Sequence, residues 1–153
     1  MTTELDLAAF VPYQLSIASN AVSDRIARQY QARFGLKIPE WRLMAVLGQS
    51  GLDGTPTALT QRDLVAATIM DKVTVSRTTA ALVERGLIGR APSEIDGRSH
   101  LLTLTGAGRS LYTEIAPVAL AMEGEILKGL SAKERALLSD LLARLRKAAD
   151  SPI

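Results

Sequence analysis

Cysteine is missing from all 153 residues, which excludes disulfides, thiolate metal sites and a cysteine-based redox switch. Histidine occurs once, at His100, and the carboxylates are scattered singly, with no D-x-D or H-x-x-E cluster to hold a metal or poise an acid and base. Gly106-Ala107-Gly108 lacks the G-x-x-x-x-G-K-[ST] pattern of a phosphate loop and fits a helix start better. Nothing here supports an enzyme or a cofactor. No apolar run approaches the roughly 18 residues of a membrane span. The opening MTTELDLAAF has no basic segment, so neither a signal peptide nor membrane association is expected, and the chain reads as cytoplasmic. Net charge is only +2, too weak by itself to name a nucleic-acid partner.

What is present concentrates between Asp71 and Thr105. Asp71 is placed to cap a helix start, and Gly86 stands where the left-handed residue past a helix end falls. At 100° per residue, Val75, Thr78, Thr79 and Leu82 share one side of that helix. Val73, Ser76, Arg77 and Ala80 share the other, with Thr74 flanking. Such a narrow, small and hydrogen-bonding face suits a DNA major groove. Ser and Thr reach phosphates or base edges, Arg grips guanine with two bonds, and Val or Ala touches a thymine methyl. Beyond Gly86 an extended run meets Pro92, which confines it to an edge strand. Asp96-Gly97 is a hairpin signal, and His100–Thr105 returns with Leu102 and Leu104 on one face. The hairpin reads as a wing with Arg98 at its tip, suited to a minor groove. Asp96 is expected to brace Arg98 or another arginine through a bidentate pair, and His100 to be a partly exposed strand residue. Residues 72–109 carry six cations against three anions, a local +3, leaving −1 elsewhere.

The run from Leu59 to Thr105, followed by GAGRSLY, resembles the MarR family of bacterial winged-helix transcription regulators. The carrying segments are LTQRDLVAAT, MDKVTVSRTTAALVERGLI, DGRS in the place of the family's D-x-R-[SA] wing motif, and LTLTGAG. The resemblance implies a mainly α fold with a small β wing, a winged helix-turn-helix within a six-helix architecture. It places Ser76 and Arg77 at recognition-helix positions and Arg98 at the minor-groove position of the wing. The set expected to meet double-stranded DNA comprises Thr60, Gln61, Lys72, Val73, Thr74, Ser76, Arg77, Ala80, Arg90, Arg98 and Ser99.

Residues 8–34 read as one long helix, with Ala18, Val22, Ile26, Tyr30 and Phe34 recurring every fourth residue and Gly35 ending it. Pro39 opens a second helix, Glu40 to about Gln49, and Ser50–Thr57 is a breaker-rich loop. Ala58-Leu59 is a candidate short strand. Thr60 with Asp63 starts a short helix, Gln61–Thr68, and Ile69-Met70 turns into the recognition helix. Thr105 caps a helix to about Gly129 that Pro117 should kink near Thr113. Ser131–Glu134 forms a capping box before a leucine-striped final helix. The expected division is 1–35 and 106–153 for dimerisation, with 36–105 as the DNA-reading lobe. Apolar stripes on both end helices exceed what one small lobe covers. A homodimer on a pseudo-palindromic site, with half-sites about one helical turn apart, is therefore expected. The resemblance further implies a repressor relieved by a small aromatic or acyl-thioester effector, for which Tyr13, Ile17, Asn20, Trp41 and Met44 are the candidate pocket residues. The alternative is a winged-helix module that uses the same surface for protein partners.

Overall fold

A computed structural model describes residues 4–49 and 54–152, so part of the breaker-rich loop, residues 50–53, lies outside the described residues. The described chain forms, in order, α1 (Val11–Phe34), α2 (Ile38–Gly48), α3 (Gln61–Thr68), α4 (Lys72–Glu84), β1 (Ile88–Pro92), β2 (His100–Leu104), α5 (Gly106–Ile126) and α6 (Ala132–Ala149). It divides into two compact units, the first ending at Pro117 and the second beginning at Val118. Pro117 lies inside α5, where it withholds the N–H that Thr113 would otherwise accept.

Local chemistry sets most boundaries in the first unit. α1 begins at Val11 rather than Ala8, because Asp6 Oδ1 takes the Ala8 and Ala9 amides at 3.0 and 3.4 Å and holds a turn ahead of the helix. Gly35, at φ 62°, ends it. The Glu40 carboxylate accepts the Lys37 amide at 2.8 Å and starts α2. Thr60 and Asp63 satisfy each other's amides at 2.9 and 3.2 Å, the reciprocal box expected at α3. α4 ends in a Schellman arrangement, with Gly86 N–H on Val83 O and Leu87 N–H on Leu82 O, both at 2.9 Å.

The two strands pair antiparallel from Ile88↔Leu104 to Pro92↔His100. The expected strand at Ala58-Leu59 shrinks to one bridge, Leu59↔Leu102, since Thr60 is already committed to capping α3. The core of this unit lies where α2, α3 and α4 meet the sheet, with Leu43, Leu47, Leu64, Val75, Leu82 and Leu102 almost or wholly sealed.

One core atom stands out. Thr79 Oγ1 is fully buried with no hydrogen-bond partner among the described residues. An unsatisfied buried hydroxyl costs about 1–3 kcal/mol, and valine has the same shape. Thr79→Val should therefore stabilise the protein by about 1 kcal/mol, raising Tm by roughly 2–4 °C in a calorimetric scan.

In the second unit, Ser131 and Glu134 exchange amide bonds at 2.7 and 3.2 Å at the start of α6. Arg135 caps the end of α5 by donating to Leu127 O at 2.8 Å and Leu130 O at 3.1 Å. α6 buries none of its residues within the chain. Among the described residues no helix is long and apolar enough to cross a membrane.

Candidate nucleic-acid interface

The inner face of α4 carries Val75, Thr78, Thr79 and Leu82, all buried, which leaves Val73, Ser76, Arg77 and Ala80 exposed on the outer face. The helix is held at its start by Asp71, which accepts Thr74 N–H at 2.8 Å and Thr74 Oγ1–H at 2.7 Å. Beside it a cleft of about 640 Å³ opens between the first turn of α3, Lys72 and the wing. Thr60, Gln61, Arg90, Arg98 and Ser99 all line it, so six of the sequence-chosen residues converge on one concavity with Lys72. Thr74 is half-buried, and its hydroxyl hydrogen is committed to Asp71.

The cleft carries four cations, Arg62, Lys72, Arg90 and Arg98, against two carboxylates, Asp63 and Asp96, a net +2. Among the described residues none of the four cations is ion-paired. Arg62 acts on neighbouring Asp63 electrostatically, and the cleft keeps a net positive charge toward an anion. Two cations counted in the basic segment do not contribute. Arg85 pairs with buried Glu40 at 3.5 Å and donates to Gly35 O at 3.1 Å. Arg109 donates to Gly48 O at 2.6 Å and lies over the Tyr112 ring. Arg62 and His100, which sequence reasoning left out of the site, take part in the lining. Arg62 was discoverable from its place beside Gln61 in the first turn of a helix that packs on α4.

The wing tip has the expected hairpin with Asp96-Gly97 in its turn, but in a loop wider than two residues, for Gly97 is not among the residues at positive φ and the strands close only at Pro92↔His100. Ser93 widens the loop, its Oγ accepting the Ile95 and Asp96 amides at 3.3 Å, and the tight turn is closed by Ser99 N–H on Asp96 O at 3.1 Å. Against expectation, Asp96 does not grip a guanidinium. Its Oδ1 accepts the Arg98 backbone N–H at 3.0 Å, fixing the tip backbone while the Arg98 side chain stays unpaired among the described residues.

The five candidate effector residues are not gathered within one chain. Tyr13, Ile17 and Asn20 are exposed on α1, whereas Met44 is wholly buried. Trp41 meets Tyr30 edge-on at 5.5 Å and stacks on Tyr112 at 6.0 Å. Tyr30 lies thirteen residues (30 − 17) along α1 from Ile17, about 20 Å of helix.

Three carboxylates at helix starts are held below their ordinary range. For Asp63 the cause is first the Thr60 amide and then its hydroxyl. For Asp71 it is the Thr74 hydroxyl and then its amide, and for Glu134 the Ser131 amide and then its hydroxyl. A carboxylate whose folded pKa is depressed adds stability above its unfolded value, and that stability is lost as pH falls through the folded value. The urea midpoint should accordingly hold between pH 7 and 5 as far as these groups are concerned, and fall once pH drops below about 4. Denaturation curves at pH 5 and pH 3 check this.

A helix-turn-helix with an arginine-tipped wing and an unpaired cationic cleft defines a winged-helix DNA-binding protein. Residues 34–99 match the model of the MarR family. A MarR/EmrR family transcriptional regulator from Acinetobacter sp. ADP1 superposes with a TM-score of 0.83 at 25% identity, covering 95% of this chain and 99% of that one. A probable transcriptional regulator from Pseudomonas aeruginosa is 30% identical over 92% of this chain and 99% of its own, with a TM-score of 0.74. BpsR of Bordetella bronchiseptica, whose DNA binding is regulated by 6-hydroxynicotinic acid, is 27% identical with a TM-score of 0.82, covering 98% of this chain and all (100%) of that one. The chain belongs to the MarR family. It is a DNA-binding transcriptional regulator.

Proposed function

We propose that the protein works as a homodimer on a pseudo-palindromic operator, with one α4 in the major groove of each half-site and the wing arginine Arg98 in the flanking minor groove. The carrying observation is the cleft between α3, Lys72 and the wing, whose four cations are unpaired among the described residues. In this reading Ser76 and Arg77 face base edges, with Val73 and Ala80 beside them. Lys72 and Arg90, with Thr60, Gln61 and Ser99, meet the backbone, and Thr74 flanks them. Residues 36–105 then form the DNA-reading lobe, and 1–35 with 106–153 supply the dimer surface. The apolar stripes left open on α1 and α6 support this assignment.

The regulator acts as a repressor released by a small aromatic acid. Regulation of BpsR by 6-hydroxynicotinic acid supports that class of effector. Tyr13, Ile17 and Asn20 stand open on α1, so a site built on them would be closed by the second copy. A ligand wedged there releases DNA by binding better to the dimer whose reading helices have moved off half-site spacing.

Binding of Arg98→Ala to operator DNA tests the core of this reading. Affinity should fall by about 1–3 kcal/mol, and the log–log salt slope should fall by about one for each phosphate contact removed at Lys72 or Arg90. Affinity unchanged by Arg98→Ala, together with salt-independent binding, would remove DNA from the cleft.

A further inference from the structure

The first turn of α4 holds one large side chain with no polar chemistry and no cover. Val73 is 64% exposed. Its polar neighbours are engaged with each other or lie toward the cleft. Thr74 donates its hydroxyl to Asp71 at 2.7 Å, Asp71 Oδ1 takes the Thr74 amide at 2.8 Å, and Lys72 lines the cleft toward the wing. The Asp71 carboxylate also sits over the open amides of the helix start, so an incoming phosphate meets a like charge there instead of a free N–H. Whatever Val73 touches is therefore recognised by apolar contact. In the major groove, the one apolar group on a base edge is the C5-methyl of thymine.

Valine suits that contact better than a longer side chain would. In a helix its χ1 is held almost entirely in one rotamer, so its two methyls are presented in a fixed direction with little entropy to lose. N-terminal residues of a recognition helix are the ones that meet base edges. Ser76 and Arg77, exposed on the same face, follow as the polar readers of the next turn.

We propose that Val73 reads a thymine C5-methyl, making thymine the preferred base at one position of each half-site. The proposal rests on the assignment of α4 to the major groove made above.

The full-length chain is used to enrich binding duplexes from a random pool. In the enriched duplex each thymidine is then replaced by deoxyuridine, which deletes the methyl and leaves the base-pairing edge intact. At one thymidine per half-site the loss should weaken binding about fourfold, and about fifteenfold when both half-sites are changed. Val73→Ala, an exposed change to a better helix former that withdraws both γ-methyls, should discriminate the thymidine from the deoxyuridine duplex much less than the native chain does. Val73→Thr, which keeps one methyl, should retain part of the discrimination. If no thymidine distinguishes the native chain from Val73→Ala, the assignment of Val73 is overturned while the DNA-reading function stands. If no duplex is enriched at all, both fall together.

Discussion

Gly108→Ala should destabilise the protein by about 3 kcal/mol, lowering Tm by roughly 6–12 °C in a thermal melt. A Cβ on Gly108 would stand 2.0 Å from Leu87 O and 3.0 Å from Leu87 C. That carbonyl has no freedom to move aside, since it already accepts the Thr105 amide at 3.1 Å. The Thr105 hydroxyl in turn donates to Gly86 O at 2.6 Å and accepts the Gly108 amide at 3.0 Å. The first turn of α5 is thus stapled to the end of α4 and the base of the wing, and an added methyl must separate them. Gly48 is a second close approach. Its Cβ would come within 2.4 Å of the Tyr112 ring and 2.7 Å of its Cγ, which rotation of the ring leaves in place, so Gly48→Ala should destabilise as well. Gly106→Ala, with nothing within 4 Å, is the matched control and should be nearly neutral. A Gly108→Ala protein melting with that control would contradict the close approach.

Why the α4 region could be read from sequence and other parts could not follows from the range of the interactions involved. The limits of α3 and the burial split of α4 rest on contacts three or four residues apart, such as the Thr60–Asp63 box and the Val75–Thr79–Leu82 spacing. Those repeat visibly along the chain. The pairing of Arg85 with Glu40 and of Arg109 with Gly48 joins residues distant in sequence, so a count of cations along residues 72–109 credited the DNA face with charge spent elsewhere. Arg62 lay outside that count, though the fold brings it to the cleft. At the wing tip the Asp-Gly signal marked the turn, which runs from Asp96 to Ser99, but not the width of the loop, because Ser93 captures two amides ahead of it and dipeptide preference does not register that. For the effector residues, apolar spacing on α1 carries no distance, and the Trp41–Tyr30 contact sits far along the helix from Ile17.

The double substitution Leu141→Glu/Leu145→Glu should give a folded monomer that binds operator DNA about a hundred to ten thousand times more weakly. Leu137, Leu141 and Leu145 recur every fourth residue along α6 and are 56%, 40% and 45% exposed. Covering one leucine contributes about 1.5–3 kcal/mol, and α6 buries none of its eighteen residues within the chain. α1 repeats the pattern, with Tyr30 its only buried residue along twenty-four. Leu141 and Leu145 are not sealed within a single chain, so charges there cost it little, and glutamate forms helix well. Far-UV circular dichroism should therefore stay native while light scattering reports half the mass. The loss of DNA affinity then follows from connectivity, not from chemistry at the reading face. Two linked heads hold one palindrome because the second binds at the high effective concentration set by the first, and separated heads forfeit that advantage. A variant that remains dimeric at micromolar concentration would place the self-association surface elsewhere. One that becomes monomeric yet binds DNA undiminished would show that a single head suffices, and the pseudo-palindromic operator would lose its basis.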